Sequence, residues 1–267
     1  EIQACDWSSD VCSSDLGMRR LETLIDTVRL WAQARPTQEQ FRWHWQKREV
    51  TPARKTPHTE YFFNPDKASG IPLRATYRPE SRQGPDQFLI EVSLPRVVFG
   101  NNWTLIPDVA TATQALDEMI EALPALPKLP PSIEMPLSRL DICYNYPVGA
   151  LLPYYIEALS RLDYPHRTTV RFNAQTVEYR AKCVKSKFYD KHIESARLAP
   201  PGLLRHEITF QRAKEIKHAL GADHPVTLSD LTNNELLRYF LERDLERLGI
   251  RGKTFATVNT AAGRLLA

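Results

Sequence analysis

The segment Val184-Lys185-Ser186-Lys187-Phe188-Tyr189-Asp190-Lys191 sets a tyrosine among lysines. In a strand, alternation puts Val184, Ser186 and Phe188 on one face and Lys185, Lys187 and Tyr189 on the other, with Lys191 just past the end. Nearby ammonium groups favour the phenolate, because opposite charge stabilises the ionised form. The same lysines suit a phosphate. Together they describe a tyrosine that attacks a DNA phosphodiester. The plainer reading is a tyrosine on a solvated basic strand, and on this segment alone it has the stronger claim.

Three further strand-like runs each carry one carboxylate centrally on a polar face. Glu91 stands beside Ser93 and opposite Phe88, Ile90, Val92 and Leu94. Asp141 shares its side with Arg139, Cys143 and Asn145, against Leu140, Ile142, Tyr144 and Tyr146. Glu207 lies with Arg205 and Thr209, against Leu204, Ile208 and Phe210. A single solvated acid on a half-buried antiparallel strand is ordinary. Three of them suggest a shared oxygen-ligand cluster for Mg²⁺ or Mn²⁺. A divalent ion polarises the scissile phosphate, and a tyrosyl ester stores the broken bond for later rejoining.

The elements that must position these residues read as follows. Strands are expected at Thr23–Trp31, Phe41–Trp45, Glu60–Phe63, Leu73–Tyr77 and Gln87–Leu94, the last stopped by Pro95. Helical spacing covers Val109–Leu123, and a Pro-rich connector runs on to Pro136. Strands follow at Ser138–Tyr146, Thr168–Phe172, Thr176–Ala181, Cys183–Tyr189 and Leu203–Phe210, with short helices at Leu151–Leu162 and Lys214–Leu220. Ser229 reads as the N-cap of a long helix to Leu248. Strand–helix–strand units occur twice. The expected class is α+β, a largely antiparallel central sheet with helices on one face.

Residues 1–17 are set aside. Their Ser/Asp density lacks apolar periodicity, and they resemble the translation of a sequencing-library adapter. Met18 is then the expected natural start, and Gly263-Arg264-Leu265-Leu266-Ala267 stops without a helix terminator, as a truncated end would. The expected organisation is a non-native segment at 1–17, a nicking domain at 18–222 and a helical segment at 223–267. The chain has 35 basic and 32 acidic residues; without Glu1, Asp6, Asp10 and Asp15 the balance is 35 against 28, or +7. That is compatible with a polyanionic partner without being diagnostic of one. Cys143 and Cys183, left after Cys5 and Cys12 are removed, make neither a disulfide framework nor a zinc site, and suggest a reducing cytoplasm. No apolar run is long enough to span a bilayer.

Ile90-Glu91-Val92-Ser93-Leu94-Pro95-Arg96 followed by Phe99-Gly100-Asn101-Asn102 resembles the signature of the filamentous-phage gene II/X replication initiators. Arg139 to Tyr146, Lys187-Phe188-Tyr189-Asp190-Lys191 and Leu204-Arg205-His206-Glu207-Ile208 match in the same order, and Leu24 to Leu30 resembles the family's beginning. The layout is also similar to plasmid rolling-circle initiators that work without a histidine pair at the metal. The resemblance implies a site-specific nickase that stays attached to the 5′ phosphate. Tyr189 would be the nucleophile, Asp141 and Glu207 the metal ligands, Glu91 a weaker third, and Lys191 a phosphate contact. Lys185, Lys187, Arg139 and Arg205 would bind DNA. The implied partners are double-stranded origin DNA, the displaced strand, and a host helicase and polymerase in the bacterial cytoplasm, with no membrane. Asn145 stands where the plasmid relatives carry a second acid.

Other residues have plainer roles. His206 reads as a core histidine, Trp31, Trp43, Trp45 and Trp103 as core aromatics ahead of base-stacking platforms, and Asp190 as a further ligand or the partner of Lys187. Tyr179 is the rival nucleophile. The competing function is an origin-binding protein or repressor without chemistry, whose acids are ordinary polar groups of a sheet.

Overall fold

In the computed structural model the described residues are 24–43, 45–51, 58–65, 70–80 and 85–250. The expectations for residues 1–17 and for the chain's end lie outside them. Ten strands form one antiparallel sheet: β1 Ile25–Ala32, β2 Gln46–Val50, β3 His58–Phe63, β4 Leu73–Arg78, β5 Gln87–Ser93, β6 Leu137–Pro147, β7 Thr168–Phe172, β8 Thr176–Arg180, β9 Val184–Asp190 and β10 Leu203–Phe210. The spatial order is β2-β3-β4-β5-β1-β6-β10-β9-β8-β7. β1 and β6 lie side by side at the centre, and each half of the chain builds outward from them.

The helices are α1 Leu94–Phe99, α2 Val109–Glu121, α3 Leu152–Ser160, α4 Lys191–Glu194, α5 Ala213–Leu220 and α6 Asn234–Arg247. Alternation in the strands supplies the apolar floor on which most of them lie. Ile25, Val28, Ile90, Val92, Leu140, Ile142, Phe188, Leu204 and Ile208 are buried on that face. Leu116, Ile120, Ile156, Leu159, Ile216, Leu237 and Leu241 cover it from the helices, in one continuous core that also takes in Val226, Leu228 and Leu231. In the first half Trp45 stacks on Phe63 at 5.5 Å and meets Phe88 edge-on at 5.9 Å. The α+β, antiparallel expectation therefore holds. Among the described residues, no helix is long and apolar enough to cross a membrane.

Two local expectations need correction. The aromatic alternation at Phe41–Trp45 gives a 3₁₀ turn at Gln40–Arg42 instead of a strand, because Phe41 packs on Tyr61 and Tyr77 while Trp43 turns outward. Ser229 lies in a 3₁₀ turn capped by Thr227 and Asp230, and α6 starts later, with the Asn233 side chain accepting from the Glu235 and Leu236 amides.

A close backbone approach aligns the strands of the site. Gly202 has φ +72°, and a Cβ there would lie 2.5 Å from the Gly149 backbone. The Val148 and Gly149 amides both donate to the Gly202 carbonyl at 3.0 Å, locking the end of β6 to the start of β10. From that clamp the register runs Arg205 against Asn145, Glu207 against Cys143, and Thr209 against Asp141.

Candidate active site on the polar face of the sheet

Four strands bring the chemistry together on the face opposite the main core. β9 pairs with β10 so that Tyr189 stands opposite Arg205, and Lys187 opposite Glu207. β6 supplies Arg139, Asp141 and Asn145. β1 contributes a residue that alternation misplaces: simple period-2 reading puts Asp26 with Val28 and Leu30 on the apolar side. The β1–β6 pairing shifts register between Ile25 and Val28, and Asp26 reaches the polar face. There it accepts from Ser93 Oγ at 3.1 Å and from Arg205 Nη1 at 3.2 Å.

The Tyr189 hydroxyl donates to Glu207 Oε2 at 2.9 Å. Lys187 Nζ lies over the ring, 3.9 Å from its centroid, and Lys191 Nζ is 5.6 Å away. This corrects the phenolate expectation. The ammonium groups sit against the ring, Lys191 is committed to Glu194 at 2.6 Å, and the oxygen faces a carboxylate. Burial and then Glu207 push the phenol well above its ordinary value, against the pull of Arg205. Tyr189 is 2% exposed and protonated, so it needs a base, and Glu207 is in contact with it.

The acids divide into two sets. Glu91 is held by Arg29, by Arg139 at 3.5 Å and by Arg74 at 4.0 Å. Asp141 takes a bidentate pair from Arg139, Nε at 3.0 Å and Nη2 at 2.6 Å. Arg139 therefore bridges Glu91 and Asp141, a guanidinium where the sequence reading sets a divalent ion. Asp26, Asp141 and Glu207 repel one another: burial and then Glu207 push Asp141 up to about 7, with Asp26 adding to it. Burial also raises Asp26, Arg205 opposes it, and Glu207 raises it further.

An oxygen-only set of mutually repelling acids suits a hard cation in kind. Among the described residues, however, no three His, Cys, Asp or Glu side chains converge as a bound ion requires. Asp141 and Glu207 would hold such an ion once Arg139 moved off Asp141. Asp26 faces the same cluster, whereas Glu91 is the acid most enclosed by arginines.

The residues expected to contact DNA do not form one surface. Arg205 is fully buried, with Nε on Asn145 Oδ1 at 3.0 Å, so in this conformation it fixes Asp26 and Asn145 instead of meeting a backbone phosphate. Lys191 is likewise fully buried. Lys185 is partly exposed, 3.5 Å from Glu178. Asn145 donates to the Trp103 carbonyl at 2.8 Å, and the Asn101 side chain accepts the Trp103 and Thr104 amides. The Phe99–Asn102 motif thus shapes a loop against β6. Asp190 caps α4, accepting from the His192 and Ile193 amides at 2.9 and 3.2 Å.

The opposite face disposes of two alternatives. The buried Tyr179 hydroxyl donates to the Leu159 carbonyl, away from every acid of the polar face. His206 is a core residue, stacked on Phe188 at 4.2 Å, with Nε2 3.0 Å from Asp244. Asp244 also accepts from Ser186 Oγ at 2.7 Å and the Tyr164 hydroxyl at 2.8 Å. Sequence reading missed this buried acid, although its spacing from Leu237 and Leu241 places it on the apolar side of α6.

No protein-family model matches the chain, and no match was found among curated proteins. Among solved structures, a rolling circle replication initiator protein from Geobacillus stearothermophilus aligns over 84% of this chain and 96% of its own, at 10% identity and TM-score 0.35. The di-domain ARO/CYC protein BexL of the BE-7585A biosynthetic pathway covers 86% and 88%, at 12% identity and TM-score 0.25. StfQ, the di-domain ARO/CYC protein of the steffimycin pathway, covers 86% and 87%, at 11% identity and TM-score 0.26. At such scores these likenesses carry no functional argument.

Proposed function

We propose that this chain is a phage or plasmid rolling-circle replication initiator: a site-specific nickase that moves a 5′ phosphate onto Tyr189 and returns it to a 3′ hydroxyl. The observation that carries the reading is the Tyr189–Glu207 hydrogen bond, on a sheet face shared with Asp26 and Asp141. The ordered motifs of the sequence support it independently.

In the nicking step Tyr189 Oη bonds to phosphorus and the phosphorus–O3′ bond breaks. The phenolic proton passes to Glu207, and the departing 3′ oxygen takes a proton from solvent. Rejoining runs the same exchange backwards. Mg²⁺ or Mn²⁺ held by Asp141 and Glu207, with Asp26 or Glu91 beside them, would neutralise charge on the phosphoryl oxygens. Origin duplex and displaced strand are the substrates this chemistry requires, with host helicase and polymerase acting on its product. Because Tyr189 is buried, DNA must displace part of what covers it.

That burial also favours a second reading, an origin-binding protein without chemistry, in which arginine-paired acids are structural. A supercoiled plasmid carrying the replicon's own origin separates the two. The nickase relaxes it only with divalent metal; a pure binding protein retards it and leaves it closed.

A further inference from the structure

On the helix-covered side of the sheet, away from Tyr189, a cavity of about 550 Å³ opens between α5, α6 and strands β9 and β10. Val184, Ile208, Phe210, Ala219 and Phe240 give it apolar walls. Phe240 meets Phe210 edge-on at 5.9 Å and is only partly buried, which leaves ring surface to the cavity. Arg167, with an 8% exposed side chain, is fixed in the floor. Its guanidinium lies 3.8 Å over the Tyr164 ring, donates to Ser186 Oγ and stands 3.5 Å from Asp244. Asp244 also accepts from Ser186 and Tyr164, so its charge is spent inside the fold. Glu215 of α5 and the exposed Arg243 and Arg247 of α6 differ. They line the same cavity, yet among the described residues none of the three forms an ion pair. Arg243 has the Tyr239 ring at 5.9 Å, and Arg247 favours ionisation of the Tyr164 phenol. Four residues apart, the two arginines share one face of α6. An acid and two bases that line one apolar cavity without bonding to each other suit a ligand with a flat apolar body, an anion at one end and N–H donors at the other.

We propose that this cavity binds a nucleoside 5′-phosphate, with the base against Phe240, its amino group on Glu215 and the phosphate on Arg243 and Arg247. The volume falls in the range of small-molecule sites, roughly 300–1,000 Å³. The chain's own continuation does not match the cavity: residues 251–267 contain Arg251, Lys253 and Arg264 and no acid, charge of the sign the two arginines repel. The chemistry is the same for a free nucleotide and for one residue of a single strand. The site goes beyond the nickase reading and does not depend on it, since none of its residues lies on the polar face.

The test needs neither metal nor turnover. With chelator present, 5′-dAMP, deoxyadenosine, inorganic phosphate and a deoxyadenylate hexamer with hydroxyl ends are titrated calorimetrically into the parent, Arg243→Gln/Arg247→Gln and Phe240→Leu. The parent should bind 5′-dAMP, and the double variant should bind it roughly tenfold more weakly or worse, because charge-assisted bonds to the phosphate are lost. Deoxyadenosine should bind parent and double variant alike. Phe240→Leu should weaken both 5′-dAMP and deoxyadenosine. A hexamer that binds tighter than 5′-dAMP assigns the site to a single strand, and one that binds no tighter assigns it to the free nucleotide; either supports the site. No binding of 5′-dAMP, equal affinity in parent and double variant, parent-like affinity in Phe240→Leu, or inorganic phosphate binding as tightly as 5′-dAMP would each overturn it. Both arginines are exposed, so the double variant decides even if Phe240→Leu fails to fold. None of these results bears on whether Tyr189 forms an adduct, so the nickase reading stands or falls separately.

Discussion

The two halves of the sheet use one layout for different ends. Outward from the centre, β1-β5-β4-β3-β2 mirrors β6-β10-β9-β8-β7. The registers superpose Glu91, opposite Arg29 and Arg74, on Glu207, opposite Cys143 and Lys187. On the same lattice the place of Tyr189 is taken by Thr76, opposite Leu89. On β3 and β5 the first half neutralises its acids, while Asp26 of β1 joins the repelling set. Glu91 has three arginines, and Glu60 is held at about 2: burial opposes this, but Arg48, Arg78 and His58 outweigh it. The second half keeps its repulsion, with Asp141 raised to about 7 and Glu207 set against a phenol. On the proposed function it is the strained cluster around Asp141 and Glu207 that does the chemistry, while the Glu91 and Glu60 pairings hold the sheet.

Exchanging the two equivalent glutamates gives the largest expected contrast. Glutamine cannot take the phenolic proton, so Glu207→Gln should slow nicking by about 10²–10⁴-fold, the usual weight of a general base. Glu91→Gln should stay within a few-fold. Equal losses in a plasmid-relaxation assay would mean that the halves are not functionally distinct.

Stability should separate them next. Arg205→Met leaves Asp26 buried without its partner, which costs about 3–5 kcal/mol in urea unfolding. Arg74→Met removes a 53% exposed partner of Glu91 and should cost less than about 1 kcal/mol. Comparable costs would remove the buried pair from the account.

The smallest effect is in pH dependence, with opposite signs. Glu60 is depressed from 4.5 to about 2, so its stabilisation is present above 4.5 and fades as pH falls towards 2. The advantage of the parent over Glu60→Gln should shrink across that window. Asp141 is raised from 3.8 to about 7, so the folded state holds its proton longer than the unfolded chain does, and stability falls as pH rises between those values. Asp141→Asn should therefore gain on the parent from pH 4 to pH 7, by roughly 3 kcal/mol. Parallel curves for parent and variant would contradict the strained cluster.

Much of this was legible in the sequence because period-2 alternation records which strand face is buried. It correctly paired Lys187 with Tyr189 on one face and placed Glu91, Asp141 and Glu207 on theirs. It failed where the third dimension breaks the period: the register shift in β1 turned Asp26 to the polar face, and only packing sent Trp43 outward while Phe41 went in. Charge state was also out of reach. Alternation puts the lysines beside Tyr189 but does not show that their ammonium groups lie on its ring while its oxygen meets Glu207.

The central claim is that Tyr189 is the nucleophile. Origin DNA labelled on either side of the nick, incubated with Mn²⁺ and run on a denaturing gel, tests it directly. The parent should carry a covalent adduct on the 5′-phosphate side, retained in Tyr179→Phe and absent in Tyr189→Phe, where the ring and its packing remain. An adduct that persists in Tyr189→Phe, or that no form makes on the cognate origin, would contradict the claim.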